Sequence, residues 1–349
     1  MRSHQMDLPR RILVGQGVLE QLGEFLKGLG FSGKLLLVSG PNVKPRVNDQ
    51  VMATLAKSQF ESVWYLAHAP GTKDVEEASS IVRSEGADLI IGIGGGKSVD
   101  VAKLAAHRMN LPFISVPTSA SHDGIISPFA SIRGLGRPYS HPCRPPIGIL
   151  ADIDLISQAP SRLLSSGCGD LIAKLTAVRD WEFARDDVKE YYAKYAAKLA
   201  LLGAEMVTRE AEHIDLGDKE VVRDIVEALI SSGVAAGIAG SSRPCSGSEH
   251  LFTHALDLMS TNSGLHGEKC GIGTILMSKL QGKDWKKVKE SLIAVNAPTK
   301  ASQIGISSED VIQALVTAQS VRPERYTILN KQKLDRQKAE ELAETTGVI

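Results

Sequence analysis

An alternation confined to the first half of the chain limits the fold most. Short apolar runs at Arg11–Val14, Lys34–Ser39, Val63–Leu66, Asp88–Ile93, Phe113–Val116 and Ile147–Ala151 read as strands. Between them, Val18–Leu29, Pro45–Lys57, Val75–Glu85 and Ser98–Met109 carry apolar residues at helical spacing. Continuous Leu, Ile and Val runs bounded by Gly or Pro suit strands buried on both faces, and repeated strand–helix pairs build a mainly parallel sheet. From Ile125 to Leu150 the pattern breaks. Gly134, Gly136, Pro138, Pro142, Pro145 and Pro146 predict a hairpin or irregular excursion that returns to the last of these strands.

Beyond Ser157 helical spacing takes over, at Asp170–Ala184, Lys189–Glu212, Lys219–Ser232, Glu249–Met259, Cys270–Leu280, Lys286–Ile293, Ser308–Ser320 and Lys333–Thr345. The chain therefore predicts an α/β domain over 1–157 and an all-α domain over 158–349, and 349 residues give each enough material for a core. A ligand is expected in the cleft between them.

Forty basic and forty acidic residues cancel, and aromatics make up only 5%, so neither nucleic acid nor an anionic membrane is an expected partner. An anionic ligand then needs a local cluster of donors. Cys143, Cys168, Cys245 and Cys270 show no C-x-x-C pair, which reads as free thiols in the cytoplasm. The N-terminus has no signal-peptide core, and Ile225–Gly240 is too short and polar to span a bilayer.

Three places carry chemistry. In Asp88-Leu-Ile-Ile-Gly-Ile-Gly-Gly-Gly-Lys-Ser-Val-Asp100 a buried strand runs through Gly94, Gly95 and Gly96 into a helix. Such a turn brings the backbone close to a pyrophosphate and aims free N–H groups at it, although a plain glycine turn reads the same way. Neither G-x-G-x-x-G nor the P-loop spacing is met. Pro117-Thr-Ser-Ala-Ser-His-Asp-Gly124 follows the next strand with hydroxyls, His122 and Asp123; it serves a ligand or caps a surface loop. Finally, Gly167-Cys-Gly-Asp170 and Ser248-Glu-His250 each open a helix, and His266 stands just before another. One carboxylate and two imidazoles from three helix starts could hold zinc and leave a fourth position open; as single residues they read equally as caps or core histidines. His254 shares a helix face with His250.

Taken in order, these motifs resemble the superfamily of glycerol dehydrogenases, iron-type alcohol dehydrogenases and dehydroquinate synthases. The nearest likeness is to its archaeal sn-glycerol-1-phosphate dehydrogenase branch, through His122-Asp-Gly124, Ser248-Glu-His-Leu-Phe-Thr-His-Ala-Leu-Asp257 and His266-Gly-Glu-Lys-Cys-Gly-Ile-Gly273. The resemblance implies a Rossmann-like dinucleotide-binding domain followed by a helical metal- and substrate-binding domain. It implies NAD(H) or NADP(H) at Gly94, Gly95, Gly96, Lys97, Ser98, Val99, Asp100, Thr118, Ser119, Ala120, Ser121 and Ser127. One zinc ion per subunit falls on Asp170, His250 and His266, and substrate on Asp123, Asp170 and His254.

The implied reaction is reversible reduction of dihydroxyacetone phosphate to sn-glycerol 1-phosphate, the backbone of archaeal membrane phospholipids; for such a step the catalytic candidates are Asp123 and His254, the proton arriving from a zinc-bound water or by a relay through either of them. A glycerol dehydrogenase acting on unphosphorylated polyol and an inactive nucleotide-binding regulator are the alternatives. Iron-type members carry a histidine where this chain has Lys174, which favours zinc, and Gly40 brings no acid to the first βα turn, which admits both dinucleotides. Arg133, Arg137, Lys174, Arg243 and Lys269 are the candidate phosphate donors, and a homo-oligomer is expected.

Overall fold

Six parallel strands form the framework of the first half, in the order β1-β8-β5-β4-β2-β3. The computed structural model describes residues 6–69, 71–132, 134, 140–259 and 264–349. In chain order the first elements are β1 (Arg11–Gly15), α1 (Leu22–Gly28), β2 (Leu35–Ser39), α2 (Lys44–Lys57), β3 (Ser62–Leu66), α3 (Thr72–Glu85), β4 (Leu89–Gly94) and α4 (Gly96–Met109). Then come β5 (Phe113–Pro117), β6 (Phe129–Ser131), β7 (Ser140–Pro142), β8 (Gly148–Asp152) and α5 (Ile153–Ser157). The excursion is a hairpin, as the Gly and Pro pattern predicts, with β6 antiparallel to β7.

Period-two geometry sends alternate side chains of each strand to opposite faces. Leu36, Val38 and Ile90 pack with Val75, Val82, Val99 and Ala102 of α3 and α4. Leu35, Leu37, Leu89, Ile91 and Ile93 pack on the other face with Leu22, Phe25, Val51 and Leu55 of α1 and α2. Both faces are covered, which is why these strands lack polar alternation.

The remaining elements are α6 (Ser161–Val188), α7 (Lys194–Glu210), α8 (Lys219–Ala239), α9 (Ser248–Leu258), α10 (His266–Leu280), α11 (Trp285–Ala294), α12 (Ser308–Val321), α13 (Ile328–Gln332) and α14 (Arg336–Thr346). No strand follows Asp152 among the described residues, so the second half is helical as expected. Contacts group the residues up to Ala120, Gly124–Pro160 and Val222–Ile230 into one compact unit. Ser121–Asp123, Ser161–Val221 and Ser231–Ile349 form the other. No described helix is long and apolar enough to cross a membrane.

Four sequence expectations need correction. Asp170 does not open a helix; it lies in the middle of α6, which runs through Gly167 and Gly169. These glycines are packing devices instead of breaks. A Cβ on Gly169 would lie 2.4 Å from the Gly267 carbonyl oxygen, and one on Gly267 would lie 1.8 Å from that of Ser166. The close crossing of α6 and α10 outweighs the poor helix propensity of glycine. The predicted helix Lys189–Glu212 is shorter, because Lys189 at φ 60° is left-handed and ends α6 before α7 begins. Lys333 at φ 43° likewise ends α13, and Asp335 caps α14 through the Lys338 N–H at 2.9 Å, so Lys333–Thr345 is not one helix. Val18–Leu29 starts as a 3-10 turn, because the Asp152 carboxylate captures the Gly17 and Leu19 N–H groups at 3.2 and 2.8 Å.

Gly267→Ala should force α10 away from α6. A loss of about 3 kcal/mol is expected, read as a lower denaturation midpoint than that of the native chain.

Candidate active site

The chain order of the sheet reverses where β2 lies beside β4, and open α/β sheets take ligands outside the carboxyl ends of the strands at such a point. Gly40 follows β2 there, and Gly94-Gly95-Gly96 follows β4. The glycines are needed for close approach: a Cβ on Gly94 would lie 2.8 Å from Ser98 Oγ, and one on Gly95 would lie 3.1 Å from Ser119 Oγ. Helix α4 starts at Gly96 with no side-chain cap and no acid in its first turn, which leaves N–H groups and positive potential for an anion. The Thr118 N–H donates to the Gly94 carbonyl at 3.0 Å and joins the second turn to the first.

The resemblance places all these residues at a dinucleotide, and the structure gathers most of them. Gly94, Gly95, Gly96, Ser98, Thr118, Ser119 and Ala120 line the two joined turns, with Lys97 exposed and Val99 buried on α4. Asp100 has a structural task. Its Oδ1 lies 3.1 Å from Lys103 Nζ and its Oδ2 accepts the Ser131 N–H at 3.0 Å, so it anchors the β6 hairpin. Buried Lys103 also donates to the Gly124 and Phe129 carbonyls, both at 2.7 Å, and Ser127 Oγ reaches the latter at 3.4 Å.

In the helical unit three helices bring Asp170, His250, His266 and Cys270 together, with donor atoms all within 4.8 Å of one another. His266 Nε2 is 3.3 Å from His250 Nε2, which in turn is 3.7 Å from Asp170 Oδ1. Two nitrogens bound tetrahedrally to zinc at about 2.0–2.1 Å stand about 3.3 Å apart. The donor set and its spacing fit a divalent cation.

Each helix is held in place by its own polar contacts. The Asp180 carboxylate on α6 accepts the Ser248 N–H at 2.7 Å and the Ser248 hydroxyl at 2.5 Å, fixing the start of α9. Glu249 accepts from Gly247 N at 2.6 Å and Thr176 Oγ1 at 2.7 Å, and its Oε1 lies 2.8 Å from His250 Nδ1. With Nδ1 held by Glu249, Nε2 is the His250 nitrogen that faces Asp170 and His266. Glu268 accepts from Leu265 N at 2.7 Å and from Arg162 of α6 at 2.5 and 2.8 Å, which seats His266 at the head of α10.

Lys174 takes a different place from the phosphate donor expected for it. Its buried ammonium lies 2.8 Å from Asp170 Oδ1 and 2.9 Å from Asp123 Oδ2, while the Asp123 N–H donates to Asp170 Oδ2 at 2.9 Å. Burial works against ionised Asp170, but Lys174, His266 and His250 outweigh it and hold the carboxyl well below its usual range. Burial likewise disfavours charged Lys174, and Asp123 with Asp170 reverses that, raising the amine well above its ordinary value. Burial also opposes a proton on His250, yet Cys270 and Glu249 raise it to about 10. His266 is pushed well down by burial and by His250. His254 is driven in the same direction by burial, then by His250, Arg322, Arg325 and Lys269, and stays neutral.

Among the other expected phosphate donors, Arg243 is occupied by Glu190 and the Tyr326 carbonyl, and Lys269 by Asp257. Desolvated charges need such partners, which is why these two are not available. Arg133 and Arg137 lie outside the described residues. Cys270 and Glu249 were not foreseen. The His266-x-x-x-Cys270 spacing, one turn apart on a helix face, is the signal that marks the thiol.

Residues 13–160 match the family model described as iron-containing alcohol dehydrogenase. The chain is 51% identical to the glycerol-1-phosphate dehydrogenase (NAD(P)+) of Cenarchaeum symbiosum (strain A), covering 100% of this chain and 98% of that one. It is 48% identical to the enzyme of the same name from Pyrococcus furiosus, covering 99% and 100%. In fold it is similar to the crystal structure of glycerol dehydrogenase from Schizosaccharomyces pombe, with TM-score 0.81 at 19% identity over 99% of this chain and 91% of that one.

Lys174→Met should leave buried Asp170 and partly buried Asp123 without their counter-ion. Denaturation of the chelator-treated protein should show a loss of about 3–5 kcal/mol; an unchanged midpoint would mean that the ammonium does not balance them.

Proposed function

The chain belongs to the glycerol-1-phosphate dehydrogenase family, and on that premise we propose that it catalyses the reversible NAD(P)H-dependent reduction of dihydroxyacetone phosphate to sn-glycerol 1-phosphate, for archaeal phospholipid synthesis. The observation that carries the reading is the convergence of Asp170, His250 and His266 in a chain with full-length identity to those enzymes. We assign these three residues to zinc, one ion per subunit. Lys174 supports that choice, since it stands where a histidine would complete an iron-type set.

The glycine turn and the start of α4 hold the dinucleotide pyrophosphate through backbone N–H groups, with Thr118, Ser119, Ala120, Ser121 and Ser127 as further contacts. Gly40 carries no acid to repel a 2′-phosphate, so either dinucleotide is accepted. When bound, the nicotinamide supplies hydride and the cation polarises the ketone oxygen as a Lewis acid. Asp123 and His254 touch the substrate and relay to its C2 oxygen a proton taken from solvent. Lys174 holds Asp123 in place at 2.9 Å, and an uncharged imidazole at His254 can take a proton on one ring nitrogen as it releases one from the other. Asp170 bridges the two roles, accepting the Asp123 N–H while it faces the histidines.

The cysteines are free in every described case, which supports a cytoplasmic site of action. Tyr191, Tyr195 and Leu202, 60%, 71% and 61% exposed, supply apolar surface for a homo-oligomer.

Oxidation of NADPH, followed by absorbance with zinc present, should be fast with dihydroxyacetone phosphate and slower by on the order of a hundredfold or more in kcat/KM with dihydroxyacetone, a gap of about 2.7 kcal/mol. Equal rates would reassign the chain to plain polyols. His266→Ala should abolish both zinc retention and turnover while circular dichroism stays native.

A further inference from the structure

We propose that Cys270 is a fourth protein donor to the metal in the resting site, completing an Asp170–His250–His266–Cys270 set, and that its thiolate gives up that position when the ketone oxygen binds. The inference rests on the reading that the first three residues hold a divalent cation.

Geometry is the first argument. Cys270 Sγ lies 3.5 Å from His266 Nε2. Around one tetrahedral zinc, with about 2.3 Å to sulfur and about 2.0–2.1 Å to nitrogen, a thiolate and an imidazole stand about 3.5 Å apart. The sulfur and nitrogen thus have the separation of one tetrahedral edge, as the two imidazoles do. The placement is also built into the backbone. Cys270 and His266 are one turn apart on α10, and helical geometry aims both at the same point. Gly267 and Gly271 bring that face against α6, where Asp170 resides. The Cys270 side chain has no exposed surface, so its position is fixed by packing rather than by chance contact with solvent.

Donor chemistry is the second argument. On binding, the S–H bond breaks, a metal–sulfur bond forms and the proton leaves to solvent. A thiolate discriminates, since soft sulfur favours zinc over magnesium, calcium or manganese.

Cobalt(II) distinguishes the outcomes, because a cobalt–thiolate bond gives an intense charge-transfer band in the near ultraviolet while nitrogen and oxygen donors do not. The full-length chain, stripped by chelator and titrated with Co2+, should take up one ion per chain and develop that band. Cys270→Ser should still take up one ion, lack the band and bind at least about tenfold more weakly. One ion bound by the native chain without the band overturns the thiolate ligand and leaves the three-residue site standing. No uptake by the native chain overturns the three-residue site itself. Because the band is read on the native chain, it discriminates even if the serine variant fails to fold.

Discussion

Everything at the Asp170–His250–His266–Cys270 cluster depends on how closely α6, α9 and α10 approach. Gly267 lies against the Ser166 carbonyl and Gly169 against that of Gly267, with Gly271 behind them and Gly273 against Glu249 of α9. Side chains at any of these points would separate the helices by ångströms. His250 Nε2, now 3.7 Å from Asp170 Oδ1 and 3.3 Å from His266 Nε2, would no longer stand beside both. Placing the donors on helix bodies gives them the stiffness of packed helices rather than that of loops.

Around this contact the polar groups are arranged in rings. Asp180, Glu249 and Glu268 are nearly inaccessible carboxylates, and each fixes a helix start or an imidazole rather than meeting solvent. Their desolvation is offset by several short hydrogen bonds apiece. Asp123 and Asp170 share a single ammonium in the same manner. The α/β half follows a different rule: it leaves backbone N–H groups open at α4 and uses a buried ion pair, Asp100 with Lys103, for anchoring a hairpin.

Much of this was legible in the amino-acid order because local rules dominate the first half. Leu35–Ser39 and Leu89–Gly94 are strands for reasons contained in a few residues, and the glycine turn announces itself. The helix around Asp170 was misread because Gly167 and Gly169 look like breaks until their partners on α10, about a hundred residues away, are in view. Cys270 was missed for another reason: it stands one turn from His266 on α10, a local signal, but a buried thiol alone reads as a small hydrophobe. Arg243 and Lys269 were offered as phosphate donors because sequence shows a charge but not the carboxylate that already occupies it.

The two-carboxylate grip on Lys174 also limits what that position can become. Installing a histidine supplies one more nitrogen near the cluster, yet removes the permanent cation that both Asp123 and Asp170 lean on. A neutral imidazole cannot replace it, and a charged one offers no lone pair. A tolerated exchange at Lys174 is therefore a concerted one, in which at least one of its acids changes with it.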